Sequence, residues 1–153
     1  MKIRKGGFTL VELLIVIMII AILAGMMMLS AGSAVDSAET ARIISDLRNL
    51  KSAALLFFAD TMRWPAASDI TSLDRYSDRA FAGAAARYDA VIIGTGYTVN
   101  GVMRTNIGLR LKDSATQNIR DKLASKAADT GLLGASGANT VYSGGTEVYM
   151  YMR

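Results

Sequence analysis

Few side chains in this 153-residue chain can do chemistry, and their types exclude more than they offer. There is no His and no Cys, which removes the commonest general base, thiolate nucleophiles, disulfides and Cys/His metal sites together. Asp69, Asp74 and Asp78 lie close in sequence, but they lack the dense alternating oxygen ligands of a Ca²⁺ loop and read as helix caps and solvated charges. Gly94-Thr95-Gly96 matches part of a dinucleotide fingerprint. The third glycine is missing at the required spacing and a hairpin follows instead of a helix, so a turn is expected there. No catalytic residue, metal ligand or cofactor is expected. The one side chain whose position demands an explanation is Glu12, because it opens a run, Leu13 to Leu29, that carries no charge at all.

The element holding Glu12 is a membrane-length helix. The 22 residues from Phe8 to Leu29 would extend roughly 33 Å, about the thickness of a bilayer's hydrocarbon core. Lys2, Arg4 and Lys5 on the N-terminal flank predict that this end stays in the cytoplasm and that the remainder is exported. A carboxylate at full depth in lipid costs about 2–3 kcal/mol, so Glu12 needs a partner. The same stretch also admits a signal peptide cut after Ala31-Gly32-Ser33-Ala34, releasing a secreted protein that begins at Val35, or a plain single-pass anchor for an exported binding protein. Against the signal peptide, the uncharged run of 17 residues exceeds the roughly 7–15 of a signal's apolar core. A disposable signal also has no use for Glu12.

Lys5-Gly6-Gly7-Phe8-Thr9-Leu10-Val11-Glu12-Leu13 resembles the processing site of type IV pilins and type II secretion pseudopilins. The resemblance is close over about the first 30 residues and is one of pattern over about the next 30. It implies that a prepilin peptidase cuts after Gly7 and methylates the new N-terminus on Phe8, with Glu12 standing for the family's acid four positions later. Cleavage would strip the three leader charges and create an ammonium on Phe8, with Glu12 as its nearest carboxylate. In a low-dielectric filament core, Glu12 of one subunit could neutralise the Phe8 amine of its neighbour; a paired buried charge costs far less than a lone one, and the pairing would fix axial register. Phe8 and Glu12 are therefore the expected assembly residues. The partners implied are a homo- or hetero-oligomeric pilin filament, the prepilin peptidase, the cytoplasmic membrane and a pilus or secretion assembly machinery.

Some features of that family are missing. Many members carry a proline near the end of the apolar run, whereas the only proline here is Pro65. A C-terminal disulfide, frequent in classical pilins, is impossible without Cys. Some pseudopilins bind Ca²⁺ in a C-terminal loop, but Asp129, Asn139, Ser143 and Glu147 are spread too far apart for one.

After Ala34 the pattern becomes one-sided, with Ile43, Leu47, Leu50, Ala54 and Phe57 on one helical face. Glu39 with Arg42, and Arg42 with Asp46, have the spacing of ion pairs on the other face. The helix should stop near Arg63-Trp64, ahead of Pro65, with Phe57, Phe58 and Trp64 forming core at that junction. Ser68 or Asp69 is expected to cap a short helix, and Ser77-Asp78 to start another through Arg87. Ala90 to Ile93 reads as a strand, Asn100-Gly101 as a hairpin turn between Tyr97-Thr98-Val99 and Val102-Met103-Arg104, and Ile107 to Leu111 as a further strand. Asp113 or Ser114 should cap a helix ended by Gly131, and Thr140 to Tyr142 should pair with Glu147 to Met152.

The expected fold class is α+β, a long N-terminal helix packed on a small antiparallel sheet. The expected divisions are a leader over 1–7, an apolar helix over 8–30, an amphipathic half over 31–63 and a globular head over 64–153. The net charge of +4 comes largely from the leader, leaving 14 basic and 13 acidic side chains elsewhere. A nearly neutral body with interspersed signs argues against a nucleic-acid partner.

Overall fold

The computed structural model describes residues 7–78, 80–81, 88–99, 102–134 and 140–152, with the backbone alone for 29–31, 95–99 and 102–104. The chain divides into two compact units, Met1–Val35 and Asp36–Arg153, and helix α1, Leu10–Thr61, runs through both.

In the first unit the helix is apolar all round. The large apolar side chains from Phe8 to Met28 are exposed, from 49% at Val16 to 89% at Leu10. Its most apolar 18-residue window has a mean hydropathy of 2.9. A helix with no polar face needs lipid or other helices around it, and this one is long enough to cross a bilayer once.

In the second unit α1 is one-sided. The expected face, Ile43, Leu47, Leu50, Ala54 and Phe57, is buried, and Ile44 and Ala53 join it. Ile43, Ile44, Leu47, Leu50, Ala54 and Phe57 share one core with Val91, Ile107, Leu109, Val148 and Met150 of the sheet and with Ile119, Leu123 and Ala127 of helix α3, Gln117–Thr130. The expected ion pairs of Arg42 are not made among the described residues. Asp46 is instead buried and accepts a hydrogen bond from the Tyr88 hydroxyl at 2.6 Å. A shielded hydrogen bond to a carboxylate outweighs a solvent-screened pair worth a few tenths of a kcal/mol.

α1 ends at Thr61, ahead of Pro65, and Met62 takes a left-handed φ of 56°. Phe57 is core, while Phe58 stacks on half-buried Trp64 with ring centroids 4.5 Å apart. Beyond the turn lie a short 3₁₀ segment, Ala67–Asp69, and helix α2, Ile70–Leu73. Asp69 secures this corner. Its carboxylate accepts two hydrogen bonds from the Arg63 guanidinium, at 2.6 and 3.0 Å, and one from the Ala66 N–H at 2.9 Å. Those bonds, Arg63's above all, hold its pKa down at about 2. Because the folded value is depressed, this contribution to stability is fully present above the ordinary carboxylate range and is lost as pH falls from about 4 through 2. Acid titration of Asp69→Asn should accordingly show a shallower loss of stability across that window than the parent. The helix expected from Ser77-Asp78 does not begin there: both residues form a bend, and 82–87 lie outside the described residues.

The sheet is antiparallel with strand order β1-β2-β3, for β1 Ala90–Val99, β2 Val102–Arg110 and β3 Glu147–Tyr151. Val99 pairs with Val102, as a two-residue reversal requires, although Asn100-Gly101 itself lies outside the described residues. The two segments expected after that turn form one strand, β2. Gly94-Thr95-Gly96 is not a turn. It lies inside β1 where the register slips, with Thr95 and Gly96 together opposite Thr105. The chain reverses between Val99 and Val102, so the glycines of β1 absorb an extra residue as a bulge.

Two other expectations are corrected. Thr116, in extended geometry, precedes α3 in place of Asp113 or Ser114, while Gly131 ends the helix with a φ of 70° as expected. β3 pairs with β2 and not with Thr140–Tyr142, because Leu133 lies between them, bridged to both Val141 and Tyr149. Gly108 of β2 is obligatory: a Cβ there would run into the Tyr149 ring and lie 2.6 Å from the Val148 carbonyl oxygen. Gly108→Ala should cost about 1–3 kcal/mol by overpacking, seen as a lower midpoint in thermal unfolding.

Candidate functional site at the start of the apolar helix

The residues that could carry function form one short stretch. Gly7, Phe8 and Thr9 precede the helix, and α1 begins at Leu10. Thr9 occupies the N-cap position, and the first helical hydrogen bond runs from Leu13 N–H to the Thr9 carbonyl at 3.2 Å. Glu12 lies three residues on, and the two side chains exchange bonds. Glu12 N–H donates to Thr9 Oγ1 at 3.2 Å, while Glu12 Oε2 accepts from Thr9 N–H and from the Thr9 hydroxyl, each at 2.8 Å. This is a reciprocal capping box, which satisfies donors that a helix start leaves unpaired. A carboxylate there also meets the positive end of the helix dipole.

The geometry changes how Glu12 is understood. It is already paired within its own chain, through one oxygen. Among the described residues nothing donates to Oε1, so that oxygen stays available to a donor from outside. Thr9 is the residue that sequence reasoning missed, although the signal was present: Thr-x-x-Glu ahead of an apolar run is the pattern of a capping box.

Phe8 is 83% exposed. A Cβ added at Gly7 would meet nothing within 4 Å, so no contact in the described chain requires glycine there. Gly6 and the basic leader residues Lys2, Arg4 and Lys5 lie outside the described residues.

The other candidate acids stay apart and are used locally. Asp69 pairs with Arg63. Asp74 Oδ1 accepts from Phe81 N–H at 2.7 Å, and Asp78 is exposed. Glu147 Oε1 accepts from Arg110 Nη2 at 2.7 Å and its Oε2 from the Tyr149 hydroxyl at 2.5 Å; these bonds, Tyr149's first, lower its pKa. Asp129 and Ser143 are exposed, and Asn139 lies outside the described residues. Among the described residues no three acidic side chains converge as a metal site would need. A cleft of about 160 Å³ lined by Asn49, Ser52, Tyr76, Ser77 and Asp78 presents hydroxyls, an amide and one carboxylate.

Residues 2–28 match the prokaryotic N-terminal methylation motif. That motif is the hallmark of the type IV pilin and pseudopilin family. The N-terminal segment is thus similar to that of pilin-like exported proteins, and the apolar helix fits a single-pass membrane anchor. Comparison with curated proteins and with solved structures finds no match.

Proposed function

We propose that the chain is a structural subunit of a type IV pilus or a type II secretion pseudopilus, cut after Gly7 by a prepilin peptidase, methylated on Phe8 and assembled into a helical filament through α1. The carrying observation is a helix start capped by Glu12 and followed by a membrane-length surface with no polar face. The basic leader favours an N-terminus in the cytoplasm and a head on the periplasmic or extracellular side. The helix waits in the cytoplasmic membrane and leaves it to pack among identical helices, with the pilus or secretion machinery supplying the work.

Glu12 Oε2 keeps the helix capped while Oε1 receives the Phe8 ammonium of the neighbouring subunit. One carboxylate then serves both, and neither charge is left alone in a low-dielectric core. Because the same contact repeats head to tail, it generates an open filament instead of a closed ring.

Mass spectrometry of the mature protein tests this reading. A methylated Phe8 N-terminus supports it. An intact Met1 would make the chain a plain single-pass anchor, and a Val35 N-terminus a secreted protein.

A further inference from the structure

β1 is an edge strand whose composition lacks the usual protection. Among the described residues its one strand neighbour is β2, and its ten residues, Ala90–Val99, include no charge and no proline. Soluble proteins generally blunt such edges with lysines, prolines or short length, because a long neutral edge recruits another strand. The far side of this sheet is handled differently, with Leu133 bridged to Tyr149 and Val141 beyond it.

The phase of the ladder shows which groups are open. Leu111 N–H donates to the Thr146 carbonyl and Met152 N–H to the Thr105 carbonyl, so the odd-numbered residues of β2 bond toward β3 and the even-numbered ones toward β1. Ala90, Ile92 and Gly94 are the partners of those even-numbered residues. Val91 and Ile93 therefore turn their N–H and C=O groups to the open side. Among the described residues no backbone hydrogen bond reaches them there.

Charge selects the occupant. A strand laid along β1 sets its side chains beside Ile92 and Ile93, both half-buried, where an unpaired charge would be desolvated at a cost. β2 carries Arg104 and Arg110, and β3 carries Glu147. Among the described strands β1 alone is neutral throughout, so the strand that best matches β1 is β1 itself. We propose that β1 pairs antiparallel with β1 of a second copy, joining two heads through one continuous sheet. A contact of this kind is two-fold and closed, and it stops at two chains. It is separate from the open axial contact proposed for Glu12 and does not depend on it.

The absence of cysteine makes the test direct. Single cysteines are placed at Ala90, Ile92 and Ile93 of the full chain in proteoliposomes, with Ser125→Cys on exposed α3 as the control, and the vesicles are mildly oxidised. At least one β1 position should give disulfide-linked dimer at least tenfold above the control. Adding Ile92→Lys to the Ala90 or Ile93 cysteine should remove it, by setting like charges across the two-fold pair, with the thermal midpoint unchanged. Ala90→Lys replaces it with the Ile93 cysteine if Ile92→Lys lowers that midpoint. Glu12→Ala should leave the cross-link intact, which separates this inference from the filament reading. Cross-linking no greater than at Ser125, or unaffected by the lysine, overturns the proposal.

Discussion

Gly7→Val is expected to stop maturation, leaving the full precursor mass and no methylated Phe8, while the chain still folds and inserts. The expectation rests on the contrast between the chain and the enzyme that reads it. A Cβ at position 7 meets nothing in the described structure, so the substitution does not disturb the start of α1 or its cap. The constraint implied by the motif must come from the peptidase cleft, where the backbone on both sides of the scissile bond has to approach closely. Without cleavage, Lys2, Arg4 and Lys5 remain attached to the helix and Phe8 never gains its ammonium. Filament assembly should then be lost together with processing. Mass spectrometry and a count of sheared filaments check both halves. Normal processing of Gly7→Val would show that the motif is not being read at this bond.

Glu12→Ala is the second large effect, and it should separate processing from assembly. The variant should be cut after Gly7 as usual but yield few or no filaments. Removing one member of a buried ion pair costs about 3–5 kcal/mol because the other charge is left uncompensated, and each 1.4 kcal/mol is a tenfold change in association. Subunit association should therefore weaken by at least a hundredfold. Two companions separate the cap from the charge. Thr9→Ala removes the capping hydroxyl at about 1 kcal/mol and should reduce assembly only several-fold. Glu12→Gln keeps an acceptor for Thr9 but loses the charge, so it should resemble Glu12→Ala. Assembly of Glu12→Ala at the parental level would falsify the pairing.

The residues proposed for processing and assembly could be singled out in the sequence because they lie within six positions of one another. Gly7, Phe8 and Glu12 need only chain order and the rise of one helix to come together. The buried face of α1 was legible for a related reason: Ile43, Leu47, Leu50, Ala54 and Phe57 follow the helical repeat, and burial follows the repeat. The role of Thr9 was equally local. It is found by its spacing to Glu12, once the pair is read as a cap as well as an acid in search of a partner.

The sequence by itself therefore determined the membrane-length apolar run, the methylation motif, the one-sided half of α1 and the α+β class, since each depends on periodicity or on neighbours a few residues apart. Only the tertiary structure decided that Asp46 turns inward to Tyr88, that Leu133 takes the place beside β3, that Tyr149 lies over Gly108 and that neutral β1 stands at the edge. These depend on which distant backbone edges meet. Strand propensity is much the same for every candidate partner, so order and register are set by the packing of the whole core and not by any short stretch of residues.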